Sequence, residues 1–217
     1  MLIDYTSRSL TFPSDRLLAI ARVAGKFGKL FNDKYMAGMW QRTLTKDLGW
    51  YRHEREEDSS WQKCQTLGLE LAPSWSWAKM EQGFIGTNPI TDPDIEIISH
   101  DVTRATLDYG IFAARGQLSL RGTTIEVSEA DCSNLVGFKH IMDDEPAAIV
   151  AGAKYLCLGF TFLPWMVIGL IIEPTQGSCY RRVGRIQIRE QLASQPPKQS
   201  PYIWGQAAAR KQTIKIV

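Results

Sequence analysis

Hydrophobic positions follow a helical period near the start of the chain, from Thr11 to Trp50. A first group recurs at steps of three and four and comprises Leu17, Ile20, Ala24, Phe27 and Phe31. A second recurs at steps of four and comprises Met36, Trp40, Leu44 and Leu48. Such spacing predicts two amphipathic helices, the second from about Lys34 to Tyr51, with the break at Asn32-Asp33. We therefore expect a helical hairpin in which Arg22, Lys26 and Lys29 form a basic stripe away from the first apolar face.

The period changes to two beyond residue 70. Apolar residues alternate at Leu118 and Leu120, and again after a turn or bend at Gly122, while "QTIKIV" predicts a last strand. In "YRRVGRIQIR" the isoleucines alternate with polar residues, which predicts a half-buried strand whose four arginines lie on a solvated outer face. About six to eight strands are expected in total.

Helical periodicity followed by strand periodicity predicts an α+β fold, with the N-terminal helical hairpin packed on a mainly antiparallel β-sheet, sandwich or barrel. We assign residues 1–55 to the helical part and residues 70–217 to the mainly β part, within one integrated domain. The uncharged run from Tyr155 to Ile172 is nearly long enough for a membrane span. Because Pro164 and β-branched residues interrupt it, we expect two buried strands that turn near Leu163-Pro164 instead.

Composition excludes several classes of function. A chain of 217 residues with 44% hydrophobic and 22% charged residues is typical of a globular protein, and a net charge of +2 gives no footprint for nucleic acid or an anionic membrane. The four cysteines are far apart and lack metal-ligand spacing, which favours reduced thiols. The N-terminus also lacks a basic region followed by an apolar run, so a cytoplasmic location is expected.

Residues that could support catalysis are scattered. His53, His100 and His140 have no second metal ligand at i+3 or i+4. His100 and Asp101 are neighbours in a predicted strand and would point to opposite faces, so a hydrolase centred on them is the weakest hypothesis. The acidic stretch "MDDEP" at residues 142–146 lacks the alternate spacing of a calcium loop, and no phosphate-binding glycine motif is present. We expect no enzyme activity, cofactor or metal.

The stretch "APSWSWA" carries two tryptophans one residue apart. In an extended chain Trp75 and Trp77 would point to one side and Ser74 and Ser76 to the other. Exposed indoles would form a stacking platform, whereas buried ones would pin the sheet to the helical hairpin as a first strand. Burial is the favoured interpretation, and a stand-alone ligand-binding β domain that uses Trp75 and Trp77 remains the alternative.

Several stretches, taken in order, resemble one family. "YTSRSLTFPSDRLLAIARVA", "KYMAGMWQRTLTKDLGW" and "APSWSWA" are similar to the region that follows the signature domain of fungal heterokaryon-incompatibility (HET) proteins, and "VIGLIIEPT" with "CYRRVGRIQI" resembles its C-terminal strands. The matching positions, which we call the signature residues, are Tyr5, Arg8, Asp15, Arg16, Gly38, Trp40, Pro73, Ser74, Trp75, Ser76 and Trp77.

The resemblance implies a role in allorecognition, the programmed cell death that follows fusion of unlike fungal individuals. Members carry the HET domain N-terminal to this region, so the resemblance implies a C-terminal recognition or regulatory module whose partner is a HET effector domain in cis or in trans. The signature residues are expected to be structural: Asp15 and Arg16 would anchor the first helix to the sheet through a charge pair, and Gly38 beside Trp40 would allow the second helix to approach closely.

Overall fold

A computed structural model describes residues 2–8, 10, 12, 15–52, 71–80, 85–87, 93–106, 112–128, 138–142, 154–163, 166–189 and 209–217. Helix α1 spans Leu2–Thr6 and the longer α2 spans Arg16–Phe31. Helix α2 ends as predicted at Asn32, whose backbone is left-handed with φ 48°, a conformation that asparagine tolerates better than most residues. Its predicted apolar face is only partly buried: Leu17 and Ala24 pack inward, whereas Phe27 and Phe31 are exposed.

The second predicted helix is wrong. Strands β1 (Tyr35–Met36) and β2 (Met39–Trp40) form a hairpin, followed by a 3-10 turn and the four-residue helix α3 (Leu44–Asp47). Ala37 and Gly38 make the turn of the hairpin with φ of 46° and 94°, values that a right-handed helix cannot contain. The spacing by four correctly indicated buried side chains at Met36, Leu44 and Leu48, whereas Trp40 is half-buried and the backbone is not helical.

Two short strands follow, β3 (Tyr51–Arg52) and β4 (Ile85–Gly86), which pair with each other. The remaining described strands form one sheet: β5 (Glu96–Thr106), β6 (Phe112–Ser128), β7 (Phe138–Met142), β8 (Lys154–Leu163), β9 (Met166–Pro174), β10 (Tyr180–Arg189) and β11 (Arg210–Ile216). Within this sheet β6, β8, β9, β10 and β11 close into a five-stranded barrel, while β5 lies beside β6 and β7 beside β10. The pairing is antiparallel except where β10 meets β11, which confirms the mainly antiparallel prediction.

The long strand β6 closes the barrel because its partners change along its length. One edge carries β5 as far as Arg121 and then β8 from Thr124, while β11 occupies the other edge. Gly122 lies at the exchange point inside a continuous strand, where the sequence predicted a turn or bend. A Cβ atom on Gly122 would lie 2.8 Å from the Leu158 side chain, so a larger residue there would have to displace that side chain.

Strand burial follows the predicted alternation on β6, where Leu118, Leu120, Ile125 and Val127 are buried. The uncharged run from residue 155 forms parts of β8 and β9, antiparallel neighbours, which confirms the two-strand interpretation. Among the helices that the structure describes, none has the length and apolar character needed to cross a membrane.

One hydrophobic core joins the N-terminal elements to the barrel. Its buried side chains include Leu17, Met36, Leu48, Trp50, Trp75 and Trp77 from the first eighty residues, and Leu118, Leu158, Leu170 and Ile214 from the strands. The tryptophans lie where these two groups meet.

Candidate functional site

The segment that contains Trp75 and Trp77 is a turn that runs into a 3-10 helix at Trp77–Lys79, not the predicted first strand. Both indoles are buried, at 0% and 1% exposure. Trp75 Nε1 donates to the Gly116 carbonyl on β6 at 3.4 Å, and Trp77 Nε1 donates to the Gly38 carbonyl at 2.7 Å. A stacking platform needs exposed rings, so this pair cannot hold a ligand in the observed conformation.

The two serines of the segment bind other parts of the chain. The Ser74 amide donates to the Val217 carbonyl at 3.1 Å, and the Ser74 hydroxyl also donates to that carbonyl and accepts the Arg182 amide at 2.9 Å. The Ser76 hydroxyl donates to the Ala37 carbonyl at 2.5 Å. Ser74 therefore fixes the end of the chain and β10, while Ser76 fixes the β1–β2 hairpin.

Further signature residues join the same cluster from the N-terminal side. Tyr5 donates its hydroxyl to the Arg16 carbonyl at 2.5 Å, and its ring meets Trp77 edge to face with centroids 6.0 Å apart. Arg16 is buried and donates to the Met80 carbonyl at 2.5 Å. Among the contacts of the described residues, this one anchors the start of α2 to the Met80 backbone. The charge pair with the sheet predicted for Asp15 and Arg16 stays a prediction.

Gly38 has a different role from the predicted one. It lies in the β1–β2 turn, and a Cβ atom there would lie 2.8 Å from Trp77 Nε1. Glycine is therefore required both by its positive φ and by the indole that binds its carbonyl. Trp40 packs instead against Tyr35, with ring centroids 4.9 Å apart.

Three signature residues contribute less to this cluster. Asp15 is exposed at the start of α2 and its side chain makes no capping hydrogen bond. Arg8 forms an exposed ion pair with Asp4 at 3.1 Å. Pro73 accepts the Ser76 amide through its carbonyl at 2.9 Å, which shapes the turn.

Arg182 completes the cluster and was not identified from the sequence. It is fully buried, and its guanidinium donates to the Leu48 and Trp50 carbonyls, each at 2.7 Å, while it stacks on the Trp50 ring at 3.5 Å from the centroid. Trp50 Nε1 in turn donates to the Trp75 carbonyl at 2.8 Å. We call this set, comprising Arg16, Gly38, Trp50, Ser74, Trp75, Ser76, Trp77 and Arg182, the tryptophan junction.

The sequence predicted that the four arginines of "YRRVGRIQIR" lie on a solvated outer face of the strand. For Arg182 and Arg185 this prediction is wrong. Both are buried, and Arg185 lies over the Tyr51 ring at 4.6 Å. A shift of register between Arg182 and Gly184 interrupts the alternation of β10, as a bulge does. Gly184 within a strand pattern was the available signal of a bulge. Arg181 matches the expectation, since it is exposed and paired with Glu173 at 2.8 Å.

A cleft of about 920 Å³ opens beside the junction, between α2 and residues 33–42. Small residues of α2, Ala21, Gly25 and Gly28, form one wall, and Val102 and Ala114 of the sheet contribute to its lining. Its charged lining residues are the three cations Lys29, Lys34 and Arg42 and one carboxylate, Asp33, so positive charge is in excess. The size falls within the range of small-molecule sites, and the cations would favour an anionic ligand.

Tyr35 also lines this cleft. Its hydroxyl is buried and has no hydrogen-bond partner within the described ranges. Burial raises the pKa of Tyr35 well above its ordinary value, with smaller contributions from Tyr5 and Asp47, so the phenol stays protonated at neutral pH. Burial likewise raises the pKa of Asp47, partly opposed by the hydrogen bond from Thr43.

The hydrolase pair does not form a dyad. His100 and Asp101 are consecutive in β5, where His100 is opposite Leu118 and Asp101 is opposite Gln117, so their side chains point to opposite faces. His53 and residues 143–146 of the acidic stretch lie outside the described residues. Within the part of the chain that the structure describes, no three histidine, cysteine, aspartate or glutamate side chains lie together as a metal site.

No protein-family model, curated protein or solved structure matches the chain.

Proposed function

We propose that the chain is a non-enzymatic recognition or regulatory module of the kind that follows the HET domain in fungal incompatibility proteins, acting in allorecognition-linked cell death. The observation that supports this proposal is the tryptophan junction. Six of the eleven signature residues belong to it, and Tyr5 contacts it through Arg16 and Trp77. The other four, Arg8, Asp15, Trp40 and Pro73, lie outside it. A family's structural signature would be expected to converge in this way, because it records contacts that hold a fold together.

The proposed partner is a HET effector domain, in cis or in trans. Co-expression of the chain with a HET domain in a fungal host, scored for growth arrest, tests the function. We expect wild-type chain to change the frequency of arrest and to co-purify with the HET domain. A chain that neither alters arrest nor associates with the domain would contradict the proposal.

The matched variants for this assay come from β10. Arg182→Met removes the buried cation of the junction, whereas Arg181→Met removes only an exposed neighbour on the same strand. Arg181→Met should behave as wild type, and Arg182→Met should reduce the effect in proportion to the loss of folded protein. If the two variants change growth arrest equally, the function does not depend on the tryptophan junction.

The cleft supports a second candidate function, binding of a small anionic ligand. This replaces the ligand site predicted at Trp75 and Trp77, whose rings are buried. Gly25 lines the cleft, and a Cβ atom there would contact nothing within 4 Å. Gly25→Leu should therefore fill the space without disturbing the fold, and leucine has the better helix propensity.

A thermal-shift screen of nucleotides and di- and tricarboxylates tests this second candidate. A ligand that stabilises wild type but not Gly25→Leu would support it. Ala19→Leu is the matched control, because Ala19 is exposed on the same helix but does not line the cleft. The absence of any stabilising ligand, or equal stabilisation of all three proteins, would count against a ligand site in the cleft.

A further inference from the structure

Helix α2 carries an exposed apolar stripe made of Val23, Phe27, Leu30 and Phe31. Their exposed fractions are 51%, 38%, 73% and 55%. The rings of Phe27 and Phe31 stack with centroids 5.6 Å apart, so part of the stripe is already ordered as a flat surface. Clustered apolar side chains on one helix differ from the isolated ones that are normal on a protein surface.

The direction of this stripe follows from the helical repeat. Leu17 and Ala24 are buried and mark the side of α2 that faces the barrel. With about 100° between successive residues, the stripe lies about 90° around the helix from that side. The crest of the helix, about 180° from the barrel, carries Arg22 and Lys26 instead.

The charge of α2 has one sign. Arg22, Lys26 and Lys29 are all exposed, and the helix contains no acidic residue. The apolar stripe therefore runs beside a basic stripe along the length of the helix. A surface that buries the apolar side chains must also accept the adjacent cations.

We propose that this face of α2 docks an acidic amphipathic helix from a protein partner. The inference rests on the proposed function in one respect, namely that the partner is a protein. The apolar side chains of the partner helix would cover Phe27 and Leu30, and its carboxylates would meet Arg22, Lys26 and Lys29. A helix of 16 residues is about 24 Å long, enough to carry four to five turns of a partner helix.

Two other occupants fit the geometry less well. A flat anionic bilayer would touch the basic crest first, because the apolar stripe lies on the side of the helix and not at its top. A second copy packed antiparallel through the same face would place the basic stripes of two α2 helices on the same side, where like charges are unfavourable. In a parallel pair the stripes would lie apart, but α2 has no acidic residue to meet them. A partner helix, in contrast, can lie alongside α2 and contact both stripes.

The probe is a fluorescein-labelled synthetic helix of about 18 residues, with leucines at positions i, i+4, i+7 and i+11 and glutamates on both flanks. Its binding to the full chain is measured by anisotropy at low and moderate salt. A matched peptide with lysine in place of each glutamate is the charge control. We expect the acidic peptide to bind and salt to weaken the binding, and the basic peptide not to bind.

Two pairs of variants locate the binding surface. Leu30→Ser should weaken binding about tenfold, whereas Leu18→Ser, with 45% exposure on another side of α2, should change it less than about twofold. Lys26→Glu should weaken binding and remove most of its salt dependence, whereas Lys215→Glu, at an exposed position of β11, should leave it unchanged. Because all four positions are exposed, the variants should retain the wild-type circular dichroism spectrum and melting temperature.

Four results would overturn the inference. Two concern the peptides: the acidic peptide fails to bind, or the basic peptide binds equally well. The third is that Leu30→Ser and Leu18→Ser have equal effects. The fourth is that Leu30 is needed for binding to phosphatidylserine vesicles, or for self-association, and the peptide does not bind. A negative growth-arrest assay with peptide binding intact would contradict the HET assignment and leave the docking surface standing. A positive growth-arrest assay with no peptide binding would support the HET assignment and contradict the docking surface.

Discussion

Replacing Arg182 with methionine is expected to be among the most destabilising single changes in the described structure. The guanidinium satisfies the buried carbonyls of Leu48 and Trp50, each at 2.7 Å, and stacks on the Trp50 ring. Each hydrogen bond from a charged donor contributes about 1.5–3 kcal/mol, and stacking in a desolvated site adds about 1–2 kcal/mol. Methionine recovers part of this by burying apolar surface and avoiding desolvation of the cation, which leaves a net loss of about 3 kcal/mol.

The two carbonyls explain why the loss is not fully recovered. A buried ion pair can be replaced on both sides by apolar residues, but the Leu48 and Trp50 carbonyls belong to the backbone and remain polar. They would be left without their donor in a site that excludes water. For a chain of this size the loss corresponds to a decrease in Tm of roughly 6–12 °C.

Urea unfolding followed by tryptophan fluorescence and by far-ultraviolet circular dichroism measures the effect. Arg181→Met is the control: this neighbour pairs with Glu173 on the surface at 2.8 Å, so its loss should cost less than about 1 kcal/mol. If Arg182→Met costs less than about 1 kcal/mol, or no more than Arg181→Met, the structural role assigned to the buried cation is wrong.

Further predictions concern the junction and a buried carboxyl group. Ser74→Ala removes the hydroxyl that binds the Val217 carbonyl and the Arg182 amide. Hydrogen exchange of the β11 amides should therefore accelerate, and the free energy of unfolding should fall by about 1–2 kcal/mol. Unchanged protection of the β11 amides would contradict this. Gly38→Ala should lower the free energy of unfolding in urea more than Trp77→Phe does. Both variants weaken the hydrogen bond between the Trp77 indole and the Gly38 carbonyl, but alanine must also adopt a positive φ and clashes with the indole. Because burial raises the pKa of Asp47 in the folded state, its contribution to stability is present at pH below the unfolded pKa and is lost as pH rises through the folded pKa. Asp47→Asn should therefore gain stability relative to wild type between pH 4 and pH 7 in urea titrations, and a constant difference would refute the assignment.

The pattern of hydrophobic and polar residues along the chain was sufficient to predict several strands of the barrel. Alternation identified the buried side of β6, and the uncharged run with a central proline identified β8 and β9, because strand periodicity depends on which face meets the core. The break after α2 was also visible, since asparagine is one of the few residues that accept a left-handed helix end. Trp75 and Trp77 were correctly expected to be buried.

The predicted second helix failed for a reason that lies outside its own sequence. Met36, Leu44 and Leu48 are buried, as their spacing by four indicated. The backbone turns with positive φ at Ala37 and Gly38, and in that turn the Gly38 carbonyl accepts the indole N–H of Trp77, 39 residues away. A helical period reports that side chains are apolar and regularly spaced, but it does not report which backbone groups a distant residue will bind.

Local sequence was enough to predict one amphipathic helix ahead of a β-rich part, the alternation of β6, and the burial of Trp75 and Trp77. These properties depend on residue type and on spacing along the chain. Three features depend on the folded chain: Arg182 lies inside, Gly38 faces Trp77, and one face of α2 is exposed. Whether a polar group is buried, or an apolar one left exposed, depends on partners that folding brings from other parts of the chain, and a bulge of one residue is enough to turn an arginine from solvent into the core.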